Sequence, residues 1–194
     1  MRRHADAQRI ETFANELGRS ARSEVKMYLT GGATAVLVGW RDTTVDIDVR
    51  LEPESDELLR AIPALKERLE VNVELASPLD FIPELPGWRD RSPFVVREGQ
   101  LDVRHFDFYG QVLAKIERGF AQDMDDVAAM LVAMAAPRLR SVGLHVPDHA
   151  VERPSHRLYD LLAAEHADSA HGRYNAHVGR MVSFARAAEH AQAR

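Results

Sequence analysis

Cysteine is absent from all 194 residues. That excludes disulfide frameworks, zinc–thiolate clusters and thiol nucleophiles, and it fits a reducing, cytoplasmic setting. No apolar run approaches the roughly 20 residues of a membrane helix, so no membrane partner is expected. No apolar stretch follows Met1-Arg-Arg-His4, so a secretory signal is not expected. A Walker loop, a dinucleotide fingerprint and a serine nucleophile elbow are also missing. Lysine does not occur after Pro137. What remains is ordinary for a globular chain, 45% hydrophobic and 28% charged, long enough for one domain or one domain with an appendage.

Net charge is −5. This argues against broad coating of nucleic acid but leaves room for a local basic site. The charge is uneven. From Pro137 onward the balance is +2, with seven of the nine histidines, so the front of the chain carries −7. Carboxylates gathered around metal ions would account for an acidic front. The rear could face an anionic partner.

Hydrophobic periodicity predicts a helix over 6–23, where Ile10, Phe13, Ala14 and Leu17 share a face. Val25–Thr30 reads as a strand, 33–40 as an apolar helix, and the alternating, β-branched 43–51 as a strand. A helix follows over 55–69, with Pro63 expected to kink it or delay its start. Residues 71–76 alternate as a strand, and the proline-rich 77–93 reads as loop. A hairpin turns at Gly99-Gln100, and helices are expected over 108–118, 123–135, 155–166 and 175–192. The order is β-α-β-α-β, a hairpin, then helices, which implies an α/β or α+β core with a helical C-terminal part.

Two features carry chemistry. Thr30-Gly31-Gly32-Ala33 joins a strand to a helix, so backbone can approach a ligand and the helix N-terminus can receive a phosphate. Asp46-Ile47-Asp48 lies in a strand, so both carboxylates point to one face while Val45 and Ile47 point to the core. Two like charges that close favour a cation between them, and hard oxygens suit Mg²⁺ shared with substrate phosphates. Taken singly, the first is often a plain turn and the second a solvated edge.

Together, Leu29-Thr-Gly-Gly-Ala-Thr-Ala35 and Arg41-Asp-Thr-Thr-Val-Asp-Ile-Asp48 resemble the signature of the DNA polymerase β-like nucleotidyltransferase superfamily. The closer likeness is to minimal nucleotidyltransferases of the abortive-infection toxin (AbiEii-like) type. The likeness runs over about 25–130 and extends to Asp107–Gly119 and Gln122–Val127. It implies a mixed sheet flanked by helices over 1–136, with a helical extension over 137–194. It implies transfer of a nucleoside monophosphate from an NTP to a tRNA or protein acceptor, in a toxin–antitoxin or phage-defence setting with a cognate partner. Mg²⁺ is the implied cofactor, with Mn²⁺ as the alternative. Asp46 and Asp48 would hold the metals. Thr30, Gly31, Gly32, Thr34, Arg41 and Lys115 would contact the nucleotide.

The family pattern also needs a third acid, catalytic and metal-ligating, to bind the ion that activates the acceptor hydroxyl and to take its proton. Glu74, on the strand after the next helix, is preferred; Asp102, on the hairpin, is the runner-up. The usual residue is Asp, so Glu74 is a departure, and a catalytically inactive nucleotide-binding or antitoxin-like module is the alternative function. Asp123, Asp125 and Asp126 read as helix N-terminal acids. In the tail, His166, His171 and His177 lack the spacing of a metal site. Arg157, Arg173, Arg180 and Arg186, with Tyr159, Tyr174 and Phe184, read as a solvated helical surface more than as an RNA-binding stripe.

Overall fold

The computed structural model describes residues 4–120, 123, 126–131, 133 and 134. The chain divides into two compact units, Met1–Glu117 and Arg118–Arg194, and the composition break at Pro137 falls within the second. The C-terminal helices expected over 155–166 and 175–192 lie outside the described residues, as do the histidines, arginines and aromatics singled out there.

In the first unit, Asp6 caps α1 (Ala7–Gly18), its carboxylate accepting from Arg9 N–H at 2.9 Å. Ile10, Phe13, Ala14 and Leu17 are the face it buries. Gly18, the last residue of the helix, leaves no room for a side chain: a Cβ there would lie 2.5 Å from the Glu98 carbonyl oxygen. β1 (Val25–Thr30) runs directly into α2 (Gly31–Val38), which Gly39 closes in the left-handed conformation, φ +87°. β2 (Asp46–Glu52) starts three residues later than the alternation suggests. Val45 is 59% exposed and does not join the core, since it precedes the first paired residue of the strand.

α3 (Asp56–Arg68) opens with Ser55 accepting from Leu58 N–H, places Asp56 and Glu57 in its first turn and Lys66 and Arg68 in its last. Pro63 neither delays nor ends it. Its ring is exposed, so the missing hydrogen bond falls on the solvent side. β3 (Asn72–Leu75) follows. The proline-rich segment expected to be loop contains a 3₁₀ turn (Pro78–Asp80) and a one-turn helix α4 (Trp88–Arg91). β4 (Phe94–Glu98) and β5 (Leu101–His105) form the expected hairpin, and α5 (Phe108–Arg118) follows.

The five strands make one mixed sheet in the order β3-β2-β1-β5-β4. β1 is antiparallel to β2 and parallel to β5; β2 is parallel to β3; β4 and β5 are antiparallel. One face is the main core: Met27, Leu29, Ile47, Val49, Leu51, Leu101 and Val103 cluster with the apolar stripes of α1 and α3. The other face is largely polar. Its lower part is sealed by Trp88 of α4, which stacks on Phe106 at 4.4 Å and meets Tyr28 edge-on at 4.8 Å. In the second unit, Arg118 pairs with Asp123 at 2.7 Å and residues 126–131 are helical. No helix among the described residues is long and apolar enough to cross a membrane.

Candidate active site

β2 alternates without a break. Ile47, Val49 and Leu51 are buried, while Asp46, Asp48, Arg50 and Glu52 are half-buried on the opposite face. The register fixes what stands beside each acid. Asp48 lies opposite Thr30 on β1 and opposite Glu74 on β3, and Asp46 lies opposite Asn72. Directly opposed residues project to the same side of a sheet. Thr30, Asp46, Asp48, Asn72 and Glu74 therefore form one polar patch, at the end where β1 enters α2.

Asn72 carries no site signal in the sequence, although it shares the Glu74 face. Its amide nitrogen donates to Asp46 Oδ1 at 2.6 Å and to Glu74 Oε1 at 3.0 Å. One neutral amide thus ties the first acid of Asp-x-Asp to the preferred third acid. Asp102 is elsewhere. It is in register with Lys26, four residues back along β1 from Thr30, about 13 Å at the strand rise. There it pairs with Arg104 at 3.4 Å and Arg97 at 3.9 Å. Of the two candidates, Glu74 is the one the register brings beside Asp48.

The glycines are explained by this same patch. Gly31 has φ +58°, and a Cβ on it would lie 2.8 Å from Asp48 Oδ2. A Cβ on Gly32 would lie 2.0 Å from Thr44 Oγ1. Thr44 is itself pinned, exchanging backbone bonds with Ala5 at 2.7 and 2.9 Å. Both glycines let the start of β2 close onto the start of α2, and the Asp48 carboxylate sits against the turn.

Beneath the turn lies a buried polar network. The Gly31 N–H does not point at open solvent; it donates to Gln111 Oε1 of α5 at 2.9 Å. Gln111 also donates from Nε2 to the Phe106 carbonyl at 2.8 Å. Thr34 is fully buried, its hydroxyl donating to the Leu29 carbonyl at 3.0 Å with His105 Nδ1 at 3.2 Å. Burial pushes the His105 pKa down to about 4, so the ring is neutral at physiological pH. Thr34 therefore serves the interior, not a surface a nucleotide could reach. Gln111 carries no sequence signal, because its partner Gly31 is 80 residues away.

The remaining candidates are spread out. Arg41 follows α2 at the end away from the turn, half-buried. Lys115 lies one helical turn beyond Gln111 on α5 and is buried.

The donor set fits Mg²⁺ in a limited way. Asp46 and Asp48 supply hard, acceptor-only oxygens on one face, and Mg²⁺ takes one or two carboxylates plus substrate phosphates. The Asp48 carboxylate lies close against Gly31, Oδ2 being 2.8 Å from where a Cβ would sit. Among the described residues no three carboxylate or imidazole groups converge as a complete metal site. A bound ion would thus draw its remaining ligands from substrate.

No curated protein and no solved structure matches the chain. A family model does match over residues 7–142, a span containing the glycine turn, Asp46, Asp48, Asn72, Glu74 and Gln111, and by it the chain belongs to the family described as nucleotidyltransferase of unknown function (DUF6036).

Proposed function

We propose that the chain is an active Mg²⁺-dependent enzyme that moves a nucleoside monophosphate from an NTP to a hydroxyl on an RNA, such as a tRNA, or on a protein. Mn²⁺ would be the substitute ion. The observation that carries this reading is the register. Asp48 stands between Thr30 and Glu74 in register, with its carboxylate against the Gly31 turn, which supports reading the acids and the turn as one site.

In the reaction, the acceptor oxygen bonds to the α-phosphorus as the bond from that phosphorus to the bridging oxygen breaks. Pyrophosphate leaves. Mg²⁺, when bound, supplies charge neutralisation of the phosphates. Asp46 and Asp48 would hold it, with Asn72 orienting Asp46. Gly31 and Gly32 would let the triphosphate approach the turn, and Thr30, opposite Asp48 in register, would brace it from below, its buried hydroxyl donating to Gln111 Oε1 at 3.4 Å. Glu74, exposed and in register with Asp48, would be the third acid, holding the ion that activates the acceptor hydroxyl or taking its proton. A toxin–antitoxin or phage-defence role, with a cognate partner, is the biological setting the abortive-infection likeness suggests.

The test is incubation of the full chain with α-labelled NTPs, Mg²⁺, and either total RNA or cell lysate. Label should pass to a macromolecule and pyrophosphate should appear. Asp46→Asn and Asp48→Asn should each lower transfer by at least about 100-fold, while melting remains cooperative. NTP binding without pyrophosphate release would instead select the inactive-module reading.

A further inference from the structure

One nitrogen of Asn72 serves two acids. Its Nδ2 donates to Asp46 Oδ1 at 2.6 Å and to Glu74 Oε1 at 3.0 Å. An amide carries two N–H groups on that one atom, so it can satisfy two acceptors together; a serine or threonine hydroxyl has a single O–H and cannot. The reverse orientation would aim the amide oxygen at two carboxylates, so charge decides which way the group faces. Two acids of like charge thus converge on one patch of partial positive charge, the role a cation would otherwise fill.

Backbone holds the amide at that point. β3 runs parallel to β2 with Asn72 opposite Asp46 and Glu74 opposite Asp48. Lys66 of α3 donates from Nζ to the carbonyl of Val73, the residue between Asn72 and Glu74, at 2.8 Å. The strand is fixed from two sides, so the amide leaves the acids by turning about its own side-chain bonds and not by a shift of β3.

The contact that steadies the acids also contests them. Mg²⁺ binds through carboxylate oxygens and demands a near-ideal arrangement of them. Asp46 Oδ1 and Glu74 Oε1 are the oxygens to which the amide donates, and its hydrogens would face an ion held there. A lysine in this place would be a permanent counter-charge. A neutral amide can be displaced, at the cost of two hydrogen bonds to charged groups. An ion carried on nucleotide phosphates brings further ligands that offset this cost; a bare ion does not. We propose that Asn72 is an internal competitor for the metal, a positioning residue that holds Asp46 and Glu74 together and opposes loading of a bare divalent ion. The inference rests on the Mg²⁺-dependent reading for the identity of what Asn72 competes with.

Calorimetric titration of the full chain with Mn²⁺ alone, repeated with Mg²⁺ alone, tests it. Asn72→Ala should bind either ion about ten-fold more tightly than wild type, because no amide has to be displaced. An amide that only orients the acids predicts the opposite sign, a loss of affinity in the variant. In isotope-labelled wild type, the NMR signals of the Asn72 side-chain NH₂ should move on saturation with Mg²⁺, as its hydrogens leave carboxylate for water. Equal or weaker ion affinity in Asn72→Ala overturns the inference, and so do NH₂ signals that saturating Mg²⁺ leaves in place. Should Asn72→Ala fail to fold, Asn72→Leu, similar in size and without a donor, carries the titration, and the wild-type NMR signal needs no variant. Absence of ion binding in wild type and variant alike, with or without ATP, removes the Mg²⁺-dependent reading and this inference with it. Ion binding that is indifferent to Asn72 removes this inference alone.

Discussion

Replacing Gly31 with alanine separates two reasons for that glycine. The first is backbone. At φ +58° a non-glycine residue costs about 1–2 kcal/mol. The second is space, since the new Cβ would sit 2.8 Å from Asp48 Oδ2. That atom is the free end of a side chain, so Asp48 can relieve the clash by leaving its rotamer, at about 0.5–1.5 kcal/mol. Stability should therefore fall by about 1.5–3.5 kcal/mol in all, a drop of roughly 3–14 °C in melting temperature for a chain of this size. The larger effect is on the site, because the carboxylate swings away from where phosphate and metal would meet. Gly39 is the internal control. It has φ +87° and nothing within 4 Å of where a methyl group would sit, so Gly39→Ala carries the backbone cost alone. Denaturant unfolding, Mg²⁺-dependent thermal shift and labelled-nucleotide transfer should be run on both variants. The expected pattern is a smaller destabilisation in Gly39→Ala, about 1–2 kcal/mol, with transfer and the Mg²⁺ shift lost at least ten-fold only in Gly31→Ala. Wild-type transfer by Gly31→Ala, or an equal loss in Gly39→Ala, refutes the reasoning.

Gln111→Leu leaves the Gly31 N–H and the Phe106 carbonyl without their side-chain partner in a buried setting; unfolding in urea should show a loss of about 2–4 kcal/mol. For His105, the folded pKa of about 4 lies below the unfolded value of 6.5, so between these pH values only the unfolded state binds the proton. Stability is then unaffected by this group above about pH 6.5 and falls as pH drops, by about 2 kcal/mol on going from pH 7 to pH 5. His105→Gln should remove that share of the slope in paired urea titrations; an unchanged slope would show that the ring is not buried in its neutral form.

Most of the elements were legible because they follow simple periods. The stripe Ile10, Phe13, Ala14, Leu17 and the alternation from Asp46 to Glu52 each specify an element with one buried face, and the structure keeps both. The part that escaped is the part that depends on distant chain. Trp88 sits in a run of prolines and reads as loop, yet it is 1% exposed because Tyr28 and Phe106 make a slot for it. Pro63 reads as a helix breaker, yet it is tolerated because its missing bond faces water. Thr34 reads as a ligand contact from its place after the glycines, but helical geometry turns its hydroxyl back onto Leu29. Asn72 and Gln111 announce nothing locally; each matters through a residue that only the folded register brings near.

The glycine turn and the paired aspartates look in the sequence like two separate signals that happen to be close. Their geometry makes them one. β1 and β2 are antiparallel neighbours with Thr30 opposite Asp48, so α2 must leave the sheet and return within the residues between them. A chain that returns so soon brings the start of β2 against the start of α2, and any side chain at Gly31 or Gly32 would collide with Asp48 or Thr44. The glycines are thus required by the strand that carries the acids before any ligand arrives. The same close approach leaves backbone, and not side chain, beside the Asp48 carboxylate. In the proposed reaction a phosphate approaching the bare turn and a cation held by carboxylate oxygen would meet there, so the packing requirement and the proposed chemical one fall on the same two residues.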